Sequence, residues 1–151
     1  RSEQACHLVI RDRNILVVVA QVDGPGYWNV SIRVGSRIGL VNTGSGHIFL
    51  AFATPEERVL MVEEQDAGEG VISPVLAGRL DEVRRQGFEQ MPSAQTASVT
   101  NLSVPIIGPL GSVMAVVTCP YTTRLDKADA PGMAEALSLL REAATAISRR
   151  T

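Results

Sequence analysis

Residues 87–124 read GFEQMPSAQTASVTNLSVPIIGPLGSVMAVVTCPYTTR: a helix stop at Gly87, a short strand, a loop, and a tight hairpin. The hairpin joins the apolar run Ser98 to Ile107 to the run Ser112 to Cys119 through Gly108-Pro109-Leu110-Gly111. If those residues form the turn, Ile107 lies opposite Ser112 and Asn101 faces Thr118, with Val99 and Ser103 on the same face. Directly opposed side chains sit about 4.5–5.5 Å apart at Cβ, so an amide and a hydroxyl would share one spot on a sheet of Val, Leu and Ile. Buried polar groups need partners. Either Asn101 and Thr118 satisfy each other across the strands, or the missing partner is a small molecule. The second reading makes the chain a sensor and not a catalyst.

Outward from the hairpin, strands and helices alternate in mixed order. Cys6 to Arg11 and Ile15 to Val22 are rich in Val, Ile and Leu around the turn residues Asp12-Arg13-Asn14, which predicts a hairpin of two buried strands. After Asp23-Gly24-Pro25-Gly26, the alternation from Trp28 to Val34 predicts a strand with one wet face. Thr43-Gly44-Ser45-Gly46 opens a short apolar helix, His47 to Ala53. Thr54-Pro55-Glu56-Glu57 is a capping box with proline at the first helical position, the start of roughly three turns of helix. Ser73-Pro74 begins another that Gly87 ends, with Arg79, Arg84 and Arg85 on the wet side and Val75, Leu76, Leu80 and Val83 beneath. Met133, Leu137, Leu140, Ala144 and Ile147 mark a terminal amphipathic helix. Such an order predicts an α+β fold, an antiparallel sheet with helices packed on it.

The 151 residues, 45% hydrophobic and 20% charged, suit one compact domain spanning 1–151. A net charge of −2 gives no basic field for gripping phosphate backbones. No apolar run reaches the length of a membrane span and no signal peptide opens the chain, which predicts a cytoplasmic protein without membrane partners. Cys6 and Cys119 sit in apolar strand patterns and do not read as a secreted disulfide framework. The first residue is Arg1, so a longer parent protein is expected.

The second chemical element is Asn42 to Gly46 running into the helix at His47. A first helical turn has unpaired N–H groups and a partial positive charge, and flanking glycines admit a ligand to the backbone; a carboxylate would fit there. Alternatively Thr43 or Ser45 caps the helix and the glycines only make the turn. A hydrolase is disfavoured: Gly44-Ser45-Gly46 lacks the outer glycine of a nucleophile elbow, and His47 stands two residues from Ser45. Cys119 lies inside an apolar strand, a poor setting for a nucleophile. Cys6, His7, His47 and Cys119 have no metal-ligand spacing, so no metal and no cofactor is expected.

Arg33 to Arg37 leading to Thr43 to Ala51, then Leu80 to Phe88, then the hairpin, together resemble the effector-binding domain of the IclR family of bacterial transcriptional regulators. The resemblance implies a GAF-like antiparallel sheet flanked by helices, with a pocket on one face. It also implies a preceding winged helix-turn-helix domain that contacts DNA and is absent here, and pairing into dimers or tetramers. Its effectors, small organic or aromatic acids, would meet Gly44 and Ser45 at the helix entrance and Asn101 and Thr118 on the strands. Val99, Met91 and Ile38 would be apolar wall, and Tyr121 the pocket rim. The chain departs from the family in having Gly46-His47 where Gly-Lys is common, a polar Asn101, and Cys119-Pro120-Tyr121 after Thr118, with Pro120 ending the strand. Tyr27 and Trp28 beside Gly24-Pro25-Gly26 are candidates for an interface or a pocket lid.

Overall fold

The computed structural model describes residues 1–13, 15–64 and 72–151. Asn14, part of the expected first turn, lies outside the described residues. Six strands form one antiparallel sheet: β1 (Cys6–Asp12), β2 (Ile15–Val22), β3 (Arg37–Ile38), β4 (Glu89–Pro92), β5 (Thr100–Ile107) and β6 (Val113–Tyr121), in the order β3-β2-β1-β6-β5-β4. The helices are α1 (Gly44–Ala51), α2 (Pro55–Glu63), α3 (Pro74–Gln86) and α4 (Met133–Ser148). The α+β expectation holds.

Period-two alternation divides the sheet into two cores. Val9, Leu16, Val18 and Val116 face α1 and α3, where Ile48, Leu50, Leu80 and Val83 are fully buried. Leu102, Val104, Ile106, Cys119 and Tyr121 face α4 and meet Ala136, Leu140 and Ala144. Each fully buried Leu, Ile or Val contributes about 1.5–3 kcal/mol. The helix ends follow local chemistry. Thr54 and Glu57 make both bonds of the capping box, Glu57 N–H to Thr54 Oγ1 at 3.2 Å and Thr54 N–H to Glu57 Oε2 at 3.0 Å. Gly87 terminates α3.

Several expectations are corrected. Trp28 to Val34 is not a strand. The Gln21 side-chain Oε1 takes the place of a ladder carbonyl for Ile32 N–H, and the Asn29 side chain turns back to accept from Gly24 N–H in the preceding loop. The second strand is not buried along its whole length, since Val19 and Val22 are exposed, whereas β1 packs Val9 against the α1 core and Leu8 and Ile10 against the α4 core. Val75 is exposed, on the first turn of α3, and Arg79 turns inward to a buried carboxylate. Pro120 does not end β6, which runs on to Tyr121. Its pairing with β1 ends at His7↔Thr118, so no β1 residue there requires the N–H that proline lacks.

The hairpin register also differs. Ser103, not Asn101, stands opposite Thr118, and Asn101 stands opposite Pro120. Gly108 N–H bonds Ser112 C=O, which enlarges the loop, and a bulge between Ile106 and Ile107 adds a further step. Because the two steps add to an even shift, both residues keep the face predicted for them.

Candidate functional site

Two glycines let α1 pack closely, Gly46 against the loop that precedes the helix and Gly44 against β5 of the sheet. A Cβ on Gly46 would lie 1.9 Å from the Leu40 carbonyl oxygen, and one on Gly44 would lie 2.8 Å from Ser103 Oγ. Thr43 caps the helix: its Oγ1 accepts from Gly46 N–H at 3.0 Å and donates to Gly39 C=O at 2.6 Å. With the Thr43 carbonyl taking His47 N–H, the N–H groups of Gly44 and Ser45 are left without a partner among the described residues.

Beneath them three hydroxyls form a chain across the fold. Thr118 Oγ1 lies 2.9 Å from Ser45 Oγ and 2.7 Å from Ser103 Oγ. All three residues are buried. Thr118 therefore finds its partners in α1 and β5 and not in Asn101, whose side-chain amide makes no hydrogen bond among the described residues.

An ion-paired cluster fixes the helix from the side. Glu89, fully buried on β4, accepts from the His47 ring (Nδ1, 2.7 Å), from Arg79 Nε (3.1 Å) and from Gln90 N–H (2.8 Å). Its second oxygen also meets the Arg79 terminal nitrogen. Burial by itself would push the Glu89 carboxyl up, but the bonds from His47 and Arg79 outweigh it and hold the group below its ordinary range. His47 Nε2 is 2.9 Å from Val41 C=O, so both ring nitrogens are engaged. Neither is free to serve Ser45 as a base.

A cavity of about 370 Å³ opens between α1, the sheet and the segments around Val30 to Ile32 and Ser93 to Thr96. Gly44, Ser45, Asn101, Thr118, Val99 and Ile38 line it. Met91 stands opposite Asn101 on β4 but is not part of the lining. Tyr121 is corrected: it projects from the other face of β6, buried against α4, with its hydroxyl 3.4 Å from Pro131 C=O. Strand alternation decides this, since Thr118 and Pro120 take the cavity face and Cys119 and Tyr121 the opposite one. Tyr27 and Trp28 are almost fully exposed on their loop and do not reach this cavity.

Among the lining residues outside the predicted set, two carry ionisable side chains, Arg37 and His7. Arg37 is exposed and is the one permanently charged side chain among the described lining residues. His7, on β1 opposite Thr118, is buried with Nδ1 unpartnered. The signal for His7 is the alternation of β1, which puts His7 and Val9 on one face and Cys6, Leu8 and Ile10 on the other. Burial lowers the His7 pKa to about 4, so the ring is neutral at pH 7. Cys6 and Cys119 lie on the α4 side of the sheet, where their mutual hydrogen bond and then burial raise the Cys119 thiol well above its usual range. Among the described residues no three His, Cys, Asp or Glu side chains gather into a metal-binding group. No helix there is long and apolar enough to cross a membrane.

Fold and sequence together place the chain in one class, the bacterial transcriptional regulators. Residues 1–149 match the family model described as bacterial transcriptional regulator IclR C-terminal, and the chain belongs to that family. Among characterised relatives it is 26% identical over 127 residues to the HTH-type transcriptional regulator KdgR of Escherichia coli K12, a match covering 81% of this chain and 48% of that protein. The KdgR of Dickeya chrysanthemi is 24% identical, with 42% of its length covered. The chain thus spans about half the length of the curated relatives it matches. The crystal structure of Pseudomonas aeruginosa HmgR superposes with a TM-score of 0.80 at 26% identity, covering 99% of this chain and 60% of that one. The C-terminal domain of E. coli KdgR gives 0.75 at 23% identity over 98% and 87%, which speaks for the fold alone.

Proposed function

We propose that residues 1–151 form the effector-sensing unit of a cytoplasmic bacterial transcriptional regulator and bind a small organic or aromatic acid in the cavity under α1. The observation that carries this is the set of unengaged polar groups converging there. The Gly44 and Ser45 N–H groups and the Asn101 amide have no partner among the described residues, and all three residues line one space, while the Thr43, Ser45, Thr118 and Ser103 hydroxyls already have partners within the protein. The donors and the positive end of α1 favour an anion. The carboxylate meets Gly44 and Ser45, and the ligand's other polar end meets Asn101 at the far side. Val99 and Ile38 supply apolar wall, and Met91 supports Asn101 from the neighbouring strand. Catalysis forms no part of this reading, because the Ser45 and His47 side chains are committed to other partners.

Binding of the acid draws α1 and the sheet together. A regulator built on this domain pairs with itself, as a dimer or a pair of dimers, and reads DNA through a winged helix-turn-helix domain elsewhere in the protein. The ligand changes the spacing of those DNA-binding domains only by its differential affinity for the two arrangements. The exposed Tyr27 and Trp28 are the candidate contact for assembly. Calorimetry of Asn101→Ala tests the site: the affinity for a bound carboxylate should fall by about 1–3 kcal/mol. Unchanged affinity would remove Asn101 from the site.

A further inference from the structure

Of the polar side chains that β1, β5 and β6 turn toward the cavity, two lack a protein partner among the described residues: the Asn101 amide and the His7 ring at Nδ1. The case of His7 is the stronger, because only 8% of the residue is exposed and its Nδ1 is shielded from solvent with no hydrogen-bond partner. Native interiors rarely leave such an atom unbonded unless something else supplies the bond. The nearby hydroxyl is not that partner: Thr118, directly across from His7, already bridges Ser45 and Ser103.

Resting on the proposed acid-binding reading, we infer that His7 is a specificity-determining residue that hydrogen-bonds a hydroxyl group carried by the acid. The placement gives the chemistry. Ser45, at the α1 entrance, touches Thr118, and Thr118 stands about 5 Å at Cβ from His7 across the strands. A carboxylate held by the Gly44 and Ser45 N–H groups therefore leaves His7 within a few bonds of the carboxyl carbon. The ring stands neutral because burial disfavours its charged form, so it presents one donor and one acceptor and not a second cation. A hydroxyl both donates and accepts, and so satisfies either tautomer of a neutral ring.

The test is a set of matched acids titrated calorimetrically into the domain: lactate against propionate, 3-hydroxybutyrate against butyrate, and 2-hydroxybenzoate against benzoate. In at least one pair the hydroxy acid should bind about three- to tenfold tighter, the weight of one neutral hydrogen bond. His7→Phe, which keeps a buried ring, should erase the preference while still binding the parent acid; His7→Gln, which keeps a hydrogen-bonding group, should retain part of it. Nitrogen NMR gives an independent readout, because the chain has only two histidines. The His7 ring signals should move on addition of the hydroxy acid while those of His47, bonded at both nitrogens, stay in place. A preference that survives in His7→Phe, or hydroxy and parent acids binding equally to the wild type, would overturn the inference and leave acid binding standing. If none of the six acids binds, acid sensing falls and the role of His7 falls with it.

Discussion

Replacing Glu89 with Gln tests the cluster that holds α1 over the sheet. Glu89 is fully buried and accepts from His47, Arg79 and Gln90 N–H. Removing one partner of a buried ion pair costs about 3–5 kcal/mol, since the remaining charge is left uncompensated. Here Arg79 is 34% exposed and keeps bonds to Glu82 and to Gln90 C=O, so water and those partners recover part of the loss. The expected destabilisation is about 2–4 kcal/mol at pH 7. For a urea slope of about 2 kcal/mol per molar, the midpoint should fall by about 1–2 M with the slope unchanged. The pH dependence gives a second check. The Glu89 carboxyl titrates below its ordinary range in the folded state, so its contribution is present above the unfolded pKa and is lost as pH falls through the folded one. Glutamine does not titrate, so the gap between variant and wild type should close in acid. A loss under about 1 kcal/mol at pH 7, or a gap that does not narrow in acid, would mean that Glu89 does not hold α1 in place through its ion pairs.

Three further outcomes are expected. Gly46→Ala would force a Cβ to 1.9 Å from the Leu40 carbonyl oxygen, a backbone clash that should destabilise by about 1–3 kcal/mol or more in urea titration. His7 has a folded pKa of about 4 against an ordinary 6.5, so the unfolded chain binds the extra proton in that window; stability should fall by up to roughly 3 kcal/mol between pH 7 and pH 4, and His7→Phe should remove that part of the slope. Gly44→Ala, pressing at 2.8 Å on Ser103 Oγ, should disturb the hydroxyl chain and weaken acid binding more than it weakens folding, as calorimetry beside thermal unfolding would show.

Local signals were legible where the chemistry is local. Thr54 to Glu57 and Gly87 specify helix ends through bonds within a turn of themselves, and both are where the sequence puts them. The hairpin at Gly108 was also legible, but its register was not, because a bulge at Ile107 depends on how the paired strands twist. Side-chain facing survived that error by parity, which is why Asn101 and Thr118 still reach one cavity. Alternation from Thr118 through Pro120 puts Tyr121 on the opposite face, so its place against α4 is legible once β6 is known to continue through the proline. Trp28 to Val34 alternates as a strand would, yet the Gln21 and Asn29 side chains bond the backbone in this region, a substitution that periodicity cannot register. The Glu89, Arg79 and His47 cluster joins β4, α3 and α1, and only the fold brings these residues together.

The most direct measurement is thermal unfolding of this domain across a panel of small aliphatic and aromatic carboxylates. A ligand at about a hundred times its dissociation constant adds roughly 2.7 kcal/mol, a rise of a few degrees for a chain of this size. At least one carboxylate should raise the midpoint by that amount, and Asn101→Ala should reduce the rise. No carboxylate raising the midpoint, or a rise that Asn101→Ala leaves untouched, would contradict acid binding in the cavity under α1.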